Sequence, residues 1–283
     1  MPRIPVAATI REAYSFTFTH LGAIIGLIWV PMVALTVLGF FTFQRYYNDF
    51  ISNMSSGNAA AMGPSMLMML LYLVAVLALQ AVIYVAVVQL AMGTRKDAPM
   101  AHFAFGAQEW RLFRAFFAFA GLILLLIMPA VMLLSLAGPA LPGPLRGLLL
   151  LVMVYGVILV AMPRFLALLP AISVAETAPV LRRAWELSAG HFWRLLGLMI
   201  GIFAPFFLLF LGVEMLLAGH VPPTPGASQE VQIMAGMVRA REILPVMSGL
   251  SFLVSPLMIG LFASASVSVW RRIKGEPVTS ILA

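Results

Sequence analysis

Arg164 is an arginine inside an otherwise apolar run that extends from Leu148 to Ser173. A charged side chain at the centre of a bilayer costs roughly 2.5–3.5 kcal/mol on insertion scales, so it faces protein, water or a headgroup. Counting from Arg146 at the far edge of the run, Arg164 lies eighteen residues on, about 27 Å of helix rise. That places its guanidinium near one membrane boundary, where a long stem lets the charge reach lipid phosphate. Three roles fit: a snorkelling anchor, a contact to a headgroup or anionic ligand under the segment that follows, or a buried pair with a neighbouring side chain.

The following segment reads ETAPVLRRAWELSAG over 176–190 and then HFWRLLGLMIG as the chain turns apolar again. It contributes Arg182, Arg183 and Trp185, then His191, Trp193 and Arg194. Cations that pair with phosphate alternate here with amphipathic rings that favour headgroup depth. These six residues and Arg164 are the candidate lipid contacts. Gln80, Gln89 and Glu214 are the candidate polar residues within spans.

Glu214 is a poor partner for Arg164. Its span enters at about Leu195, which puts Glu214 about 28 Å further on, towards the opposite face. Arg146, Arg239, Arg241 and His220 are nearer in depth. Proton coupling asks for a second acid in a span, and none is present. His20, His102 and His191 fall on one side and His220 on the other, without an acidic cluster, so no metal is expected. Gly249-Leu250-Ser251-Phe252 has the Gly-x-Ser form of intramembrane serine proteases but lacks a histidine at its depth. There is neither a phosphate-cradling glycine loop nor an HExxH. No catalytic residue and no cofactor is expected, and the chain does not read as an enzyme.

The elements that must position these residues are membrane spans. Apolar residues make up 63% of the 283, charged residues 10%, and the mean hydropathy is +1.05. A water-soluble domain carries about 25% charge, so this surface has another solvent. The expected fold is all-α: a single polytopic bundle over 1–283 with six transmembrane helices and amphipathic interfacial helices. An interfacial helix is expected at 4–19, with spans at 21–43, 65–92, 115–136, 148–173, 195–218 and 245–269, and a polar loop over 44–63. The first apolar run is too long for a cleavable signal. Pro31, Pro129, Pro205 and Pro256 interrupt four spans, as neighbouring helices permit. Gly22 and Gly26, Gly197 and Gly201, and Gly260, Ser264 and Ser268 repeat small residues at four-residue spacing. That allows close packing within the bundle or a homo-oligomer seam.

The net charge of +7 does not point to nucleic acid, because the cations gather at the ends of spans. Alternate connections carry Arg3, Arg11, Arg95, Lys96, Arg111, Arg114, Arg182, Arg183, Arg194, Arg271, Arg272 and Lys274. The others carry Arg45, Arg146, Arg239 and Arg241. This asymmetry predicts both termini in the cytoplasm. The absence of cysteine excludes disulfides, iron–sulfur clusters and thiolate zinc.

Residues 11–27 align without gaps on 182–198, pairing Arg11 with Arg182, Ala13 with Ala184, Tyr14 with Trp185, Thr17 with Ser188, His20 with His191 and Gly26 with Gly197. Trp110-Arg111-Leu112 lines up more faintly with Trp193-Arg194-Leu195. Three units of interfacial helix plus hairpin are the expected architecture.

Arg164, the run from Leu166 to Pro170, Glu176, the helix from Arg182 to Leu187 and Phe192 to Gly197 together resemble a known family. It is the six-span membrane domain associated with bacterial glycerophosphodiester phosphodiesterases; an alanine precedes Trp185 where that family has serine. The resemblance implies a free-standing membrane domain in a bacterial inner membrane, because the chain ends at Ala283 without a catalytic barrel. It implies association with membrane phospholipid, and the hydrolase activity is not carried over. The expected role is a non-enzymatic, lipid-interacting scaffold or accessory protein, with a homo-oligomer or a membrane-protein partner as further options. The alternative is a transporter or exporter component with a cavity between proline-broken spans.

Overall fold

The computed structural model of the protein describes residues 4–56, 62–95, 105–137, 143–218 and 229–275. In chain order its helices are α1 (Val6–Thr19), α2 (Leu21–Ser56), α3 (Gly63–Ala91), α4 (Ala107–Ala137), α5 (Gly143–Phe165), α6 (Leu169–Ala175), α7 (Val180–Ser188), α8 (Phe192–Ala218) and α9 (Gln229–Lys274). Six membrane-crossing candidates, one of them α5 and α6 taken together, are long and apolar enough, and no strand occurs among the described residues. The all-α polytopic bundle expected from hydropathy is therefore the observed class.

Long side chains such as Leu125, Leu133, Leu151 and Leu216 stay exposed. In a bilayer core that exposure needs no hydrophobic burial, so packing rather than hydrophobicity chooses the helix contacts. The most buried spanning helix is α9. It packs against α1, α2, α3, α6 and α8, while α2, α3, α4, α5 and α8 each pack on the next. Its inner face is small. A Cβ on Gly260 would lie 2.8 Å from Thr17 Cγ2 and 2.9 Å from Ile24 Cδ1, so α1 and α2 both press on bare backbone there. The Ser264 hydroxyl donates to the Gly260 carbonyl at 2.8 Å and sits 3.5 Å from the carbonyl of Ala13.

The buried face of α1 is Thr9, Ala13, Phe16 and Thr17, while Ile10 and Tyr14 are half-buried against the core and Phe18 is exposed. Val6 and Ile10 lie over Gly197 and Gly201 of α8. Two of the small-residue rows are thus occupied within the chain, whereas nothing lies within 4 Å of a Cβ built on Gly22 or Gly26. The aligned segments share their burial: Thr9, Ala13 and Thr17 are buried, and so are their counterparts Val180, Ala184 and Ser188.

The expected loop after residue 43 is helical as far as Ser56, and α9 begins well ahead of residue 245. Local ion pairs support both extensions, Arg45 with Asp49 at 3.6 Å and Arg239 with Glu242 at 3.1 Å. Arg241 Nη1 donates to Asn48 Oδ1 at 3.2 Å and ties the two together. The fourth span also differs from expectation. It bends after Phe165 through residues 166–168 and resumes as α6, whose Leu169 to Ser173 are buried. Pro170 brings no N–H to a continuing helix. The Ala171 N–H, which lacks an intrahelical acceptor in a first turn, donates instead to Ser266 Oγ of α9 at 3.3 Å. Arg3, Lys96, His102, His220 and residues 138–142 lie outside the described residues.

Candidate functional site

The α6–α7 connection, α7 itself and the last turn of α9 meet at one end of the bundle. Helix α7 seats Val180, Ala184 and Ser188 inward and packs on α4, α5 and α6. Gly190, at φ +80°, makes the left-handed turn that leads into α8.

Glu176, just ahead of α7, gathers three donors. Trp270 Nε1 donates to Oε1 at 3.0 Å, Lys274 Nζ sits 3.0 Å from the same oxygen, and Arg183 Nε donates to Oε2 at 3.0 Å. Burial alone would raise this carboxyl, but the bonds from Trp270, Lys274 and Arg183 outweigh it and hold it below the ordinary range. Arg272 pairs with Glu12 of α1, and Arg271 donates to the Met92 carbonyl at 3.1 Å. The basic tail of α9 is therefore a latch that ties α1, α3 and the α7 connection to the axis.

On another side of α7, Arg164 lies with its Cζ 4.1 Å from the Trp185 ring centroid and 5.6 Å from that of Phe192. Phe165 stacks on Trp185 at 5.7 Å. The Arg164 Nε is buried without a hydrogen-bond partner, and no carboxylate pairs with its guanidinium among the described residues. Cation–π contact orients an arginine but leaves its charge in place. Trp193, next to Phe192 in sequence, is 77% exposed, and Arg194 likewise shows no ion pair among the described residues.

The sequence-derived set divides on these observations. Arg164, Trp185, Trp193 and Arg194 form the exposed or uncompensated part. Arg183 belongs to the latch and also bonds Glu186 at 3.2 Å, which accepts from Arg182 at 3.0 Å as well. Both arginines, expected as lipid contacts, have carboxylate partners within the chain. His191, expected as a headgroup contact, is buried against protein at 7% exposure. Burial, reinforced by the charge of Arg194, holds its imidazole below the ordinary value.

Gln89 is not a midplane group. It lies at the end of α3, donates to Gln108 Oε1 at 2.6 Å and accepts from Arg95 at 3.4 Å, and Gln108 donates to the Val174 carbonyl at 3.3 Å. Gln80 lines a cleft of about 310 Å³ between α2, α3 and α9, with Thr36, Tyr72, Ser248, Ser251 and Ser255. Its Oε1 is buried and unpartnered. Glu214 is exposed on α8. Arg239 bonds the Leu217 carbonyl and Glu242, and Arg241 bonds Asn48; neither pairs with Glu214.

Sequence spacing missed Trp270 and Lys274 as partners of Glu176, since 94 residues separate Trp270 from that carboxylate. It also missed Arg111 and Arg114, which line a cavity against residues 177–181. Beyond their place among the cations at span ends, the prior signal there was the match of Trp110-Arg111-Leu112 to Trp193-Arg194-Leu195, whose leucines are both fully buried.

Fold and site together define a multi-pass membrane protein with a partly uncompensated basic end. No family model, curated protein or solved structure matches the chain.

Proposed function

We propose that this chain is a non-enzymatic membrane protein that engages anionic phospholipid headgroups at its basic end, in a lipid-handling or scaffold role. The observation that carries this reading is Arg164. Its charge is held against Trp185 and Phe192 with no carboxylate partner among the described residues, and Arg194 lies at the entry of the next span. An anion from outside the chain is the complement such cations lack. The excess of Lys and Arg on this side supports a cytoplasmic position for both termini and a bacterial inner-membrane setting. The likeness to the phosphodiesterase-associated membrane domains supports the same lipid association.

Native mass spectrometry of the purified protein tests the reading. Wild type is expected to retain phosphatidylglycerol over phosphatidylcholine, and Arg164→Gln/Arg194→Gln to reduce that preference. Equal retention by the variant refutes it. Orientation has its own test, helped by the absence of native cysteine. Trp193→Cys is expected to resist an impermeant thiol reagent applied from outside the cell, while Arg45→Cys is labelled.

The Gln80 cleft supports a second reading, a transporter or exporter component. Gln80 is 12 residues from Met92, about 18 Å along α3, which is the depth at which alternating-access sites lie. Glu214 adds nothing to that cleft. If Gln80→Cys reacts with an aqueous thiol reagent, the second reading gains; if it stays unreacted, the cleft is dry and that reading is removed.

A further inference from the structure

A cavity of about 390 Å³ lies between α4 and the start of α7, lined by Arg111, Arg114, Ala115 and residues 177–181. Two cations three residues apart share one face of α4. The Nε of Arg111 is buried without a partner, and Arg114 Cζ rests 5.7 Å from the Trp110 ring centroid. Among the described residues no carboxylate pairs with either. The nearest acid in sequence, Glu109, is 5% exposed and accepts the Gly106 N–H at 2.9 Å.

The opposite wall adds donors and no acceptor charge. Helix α7 has Pro179 at its N-cap with no side-chain cap, and no acidic residue in its first turn. The N–H groups of Val180 and Leu181 have no acceptor within the helix, and Thr177 brings a hydroxyl. Two guanidinium groups and the residues that carry these amides and this hydroxyl line one cavity, a donor set for which the described residues supply no paired carboxylate.

We propose that this cavity holds the phosphate of an anionic phospholipid, and that two arginines select a phosphomonoester such as phosphatidate over a phosphodiester. A monoester carries up to two charges near neutral pH and three strong acceptor oxygens, which two forked guanidinium groups match. A diester offers one charge. The proposal rests on the headgroup reading above but concerns different residues. Arg164 and Arg194 supply general attraction to an anionic surface, and Arg111 and Arg114 supply choice among anions.

Native mass spectrometry with phosphatidic acid, phosphatidylglycerol and phosphatidylcholine tests it on the full chain. Wild type is expected to hold phosphatidic acid at least fivefold over phosphatidylglycerol. Arg111→Gln/Arg114→Gln is expected to abolish that selectivity while keeping the preference for phosphatidylglycerol over phosphatidylcholine. Should that variant fail to fold, Ala178→Trp fills the cavity without touching either arginine, and the same loss is expected. Millimolar inorganic phosphate is expected to leave bound phosphatidic acid in place; its displacement would make a soluble phosphate the ligand and overturn the lipid assignment. If the Arg111/Arg114 and Ala178 variants select as wild type does, the cavity is not the site, although the headgroup reading stands as long as Arg164→Gln/Arg194→Gln still loses phosphatidylglycerol. If that variant is also unchanged, both fall.

Discussion

Lys274, Arg183 and Trp270 converge on the single carboxylate of Glu176, whereas Arg111, Arg114, Arg164 and Arg194 meet no carboxylate among the described residues. Both groups lie around α7 at the same end of the bundle, and in the sequence both read as positive charge beside an apolar span. The difference is in what balances each. In the latch the anion belongs to the chain, so the bonds join elements far apart in sequence and act on the fold. Around Arg164 and Arg111 the described residues supply aromatic faces and cavity walls but no carboxylate partner, which is the basis for proposing an outside anion there. A count of Lys and Arg therefore orients a membrane chain but overstates the charge that reaches lipid.

The largest effect is expected at the latch. Glu176→Gln leaves Lys274 and Arg183 without their shared anion, at a site where the carboxylate is only 14% exposed. A stability loss of about 2–3 kcal/mol is expected, reduced from that of a fully buried pair by solvent access. Thermal unfolding in detergent measures it, and a melting temperature equal to wild type would erase the distinction between the two regions.

Acid sharpens the same contrast. The Glu176 carboxyl is held below its ordinary 4.5, so its contribution is complete above that pH and is lost as pH falls through the lower folded value. His191, held below 6.5 by burial, also favours the fold only while neutral, so its contribution fades from about pH 6.5 downwards. Two stages of acid destabilisation are expected in a pH series of melting curves. The lower stage shrinks in Glu176→Gln, and the upper stage shrinks in His191→Gln.

A smaller change is expected on the open side. Each cation near an anionic surface contributes about 1 kcal/mol, so Arg164→Gln should reduce retained phosphatidylglycerol about fivefold, and high salt should weaken wild type more than the variant. Smallest of all is Arg182→Gln. Arg182 is 82% exposed and, among the described residues, paired with Glu186 alone, so neither melting temperature nor lipid retention should move measurably. A clear loss of lipid there would return Arg182 to the open set.

Much of the fold was legible because hydropathy reports what faces lipid. It is nearly silent on which face meets protein. The buried side of α1 is Thr9, Ala13 and Thr17, residues whose value lies in the close approach they allow to Gly260 and Ser264. The bend at 166–168 was hidden because proline is ordinary in membrane helices, and the pairing of Ala171 with Ser266 that accompanies it spans 95 residues. At the site, Arg164 and the 176–194 segment stood out by charge in an apolar setting. Whether each cation is balanced depends on carboxylates brought from elsewhere in the chain. Glu176 reaches Trp270, and Glu12 reaches Arg272, and spacing carries no trace of either.

The most direct test measures melting temperature and phosphatidylglycerol retention on the same two proteins, Glu176→Gln and Arg164→Gln/Arg194→Gln. Expected is a crossed result: the first melts lower and keeps its lipid, the second melts as wild type and loses it. Both quantities falling together in either protein would contradict the division between a structural latch and an open, ligand-facing set of arginines.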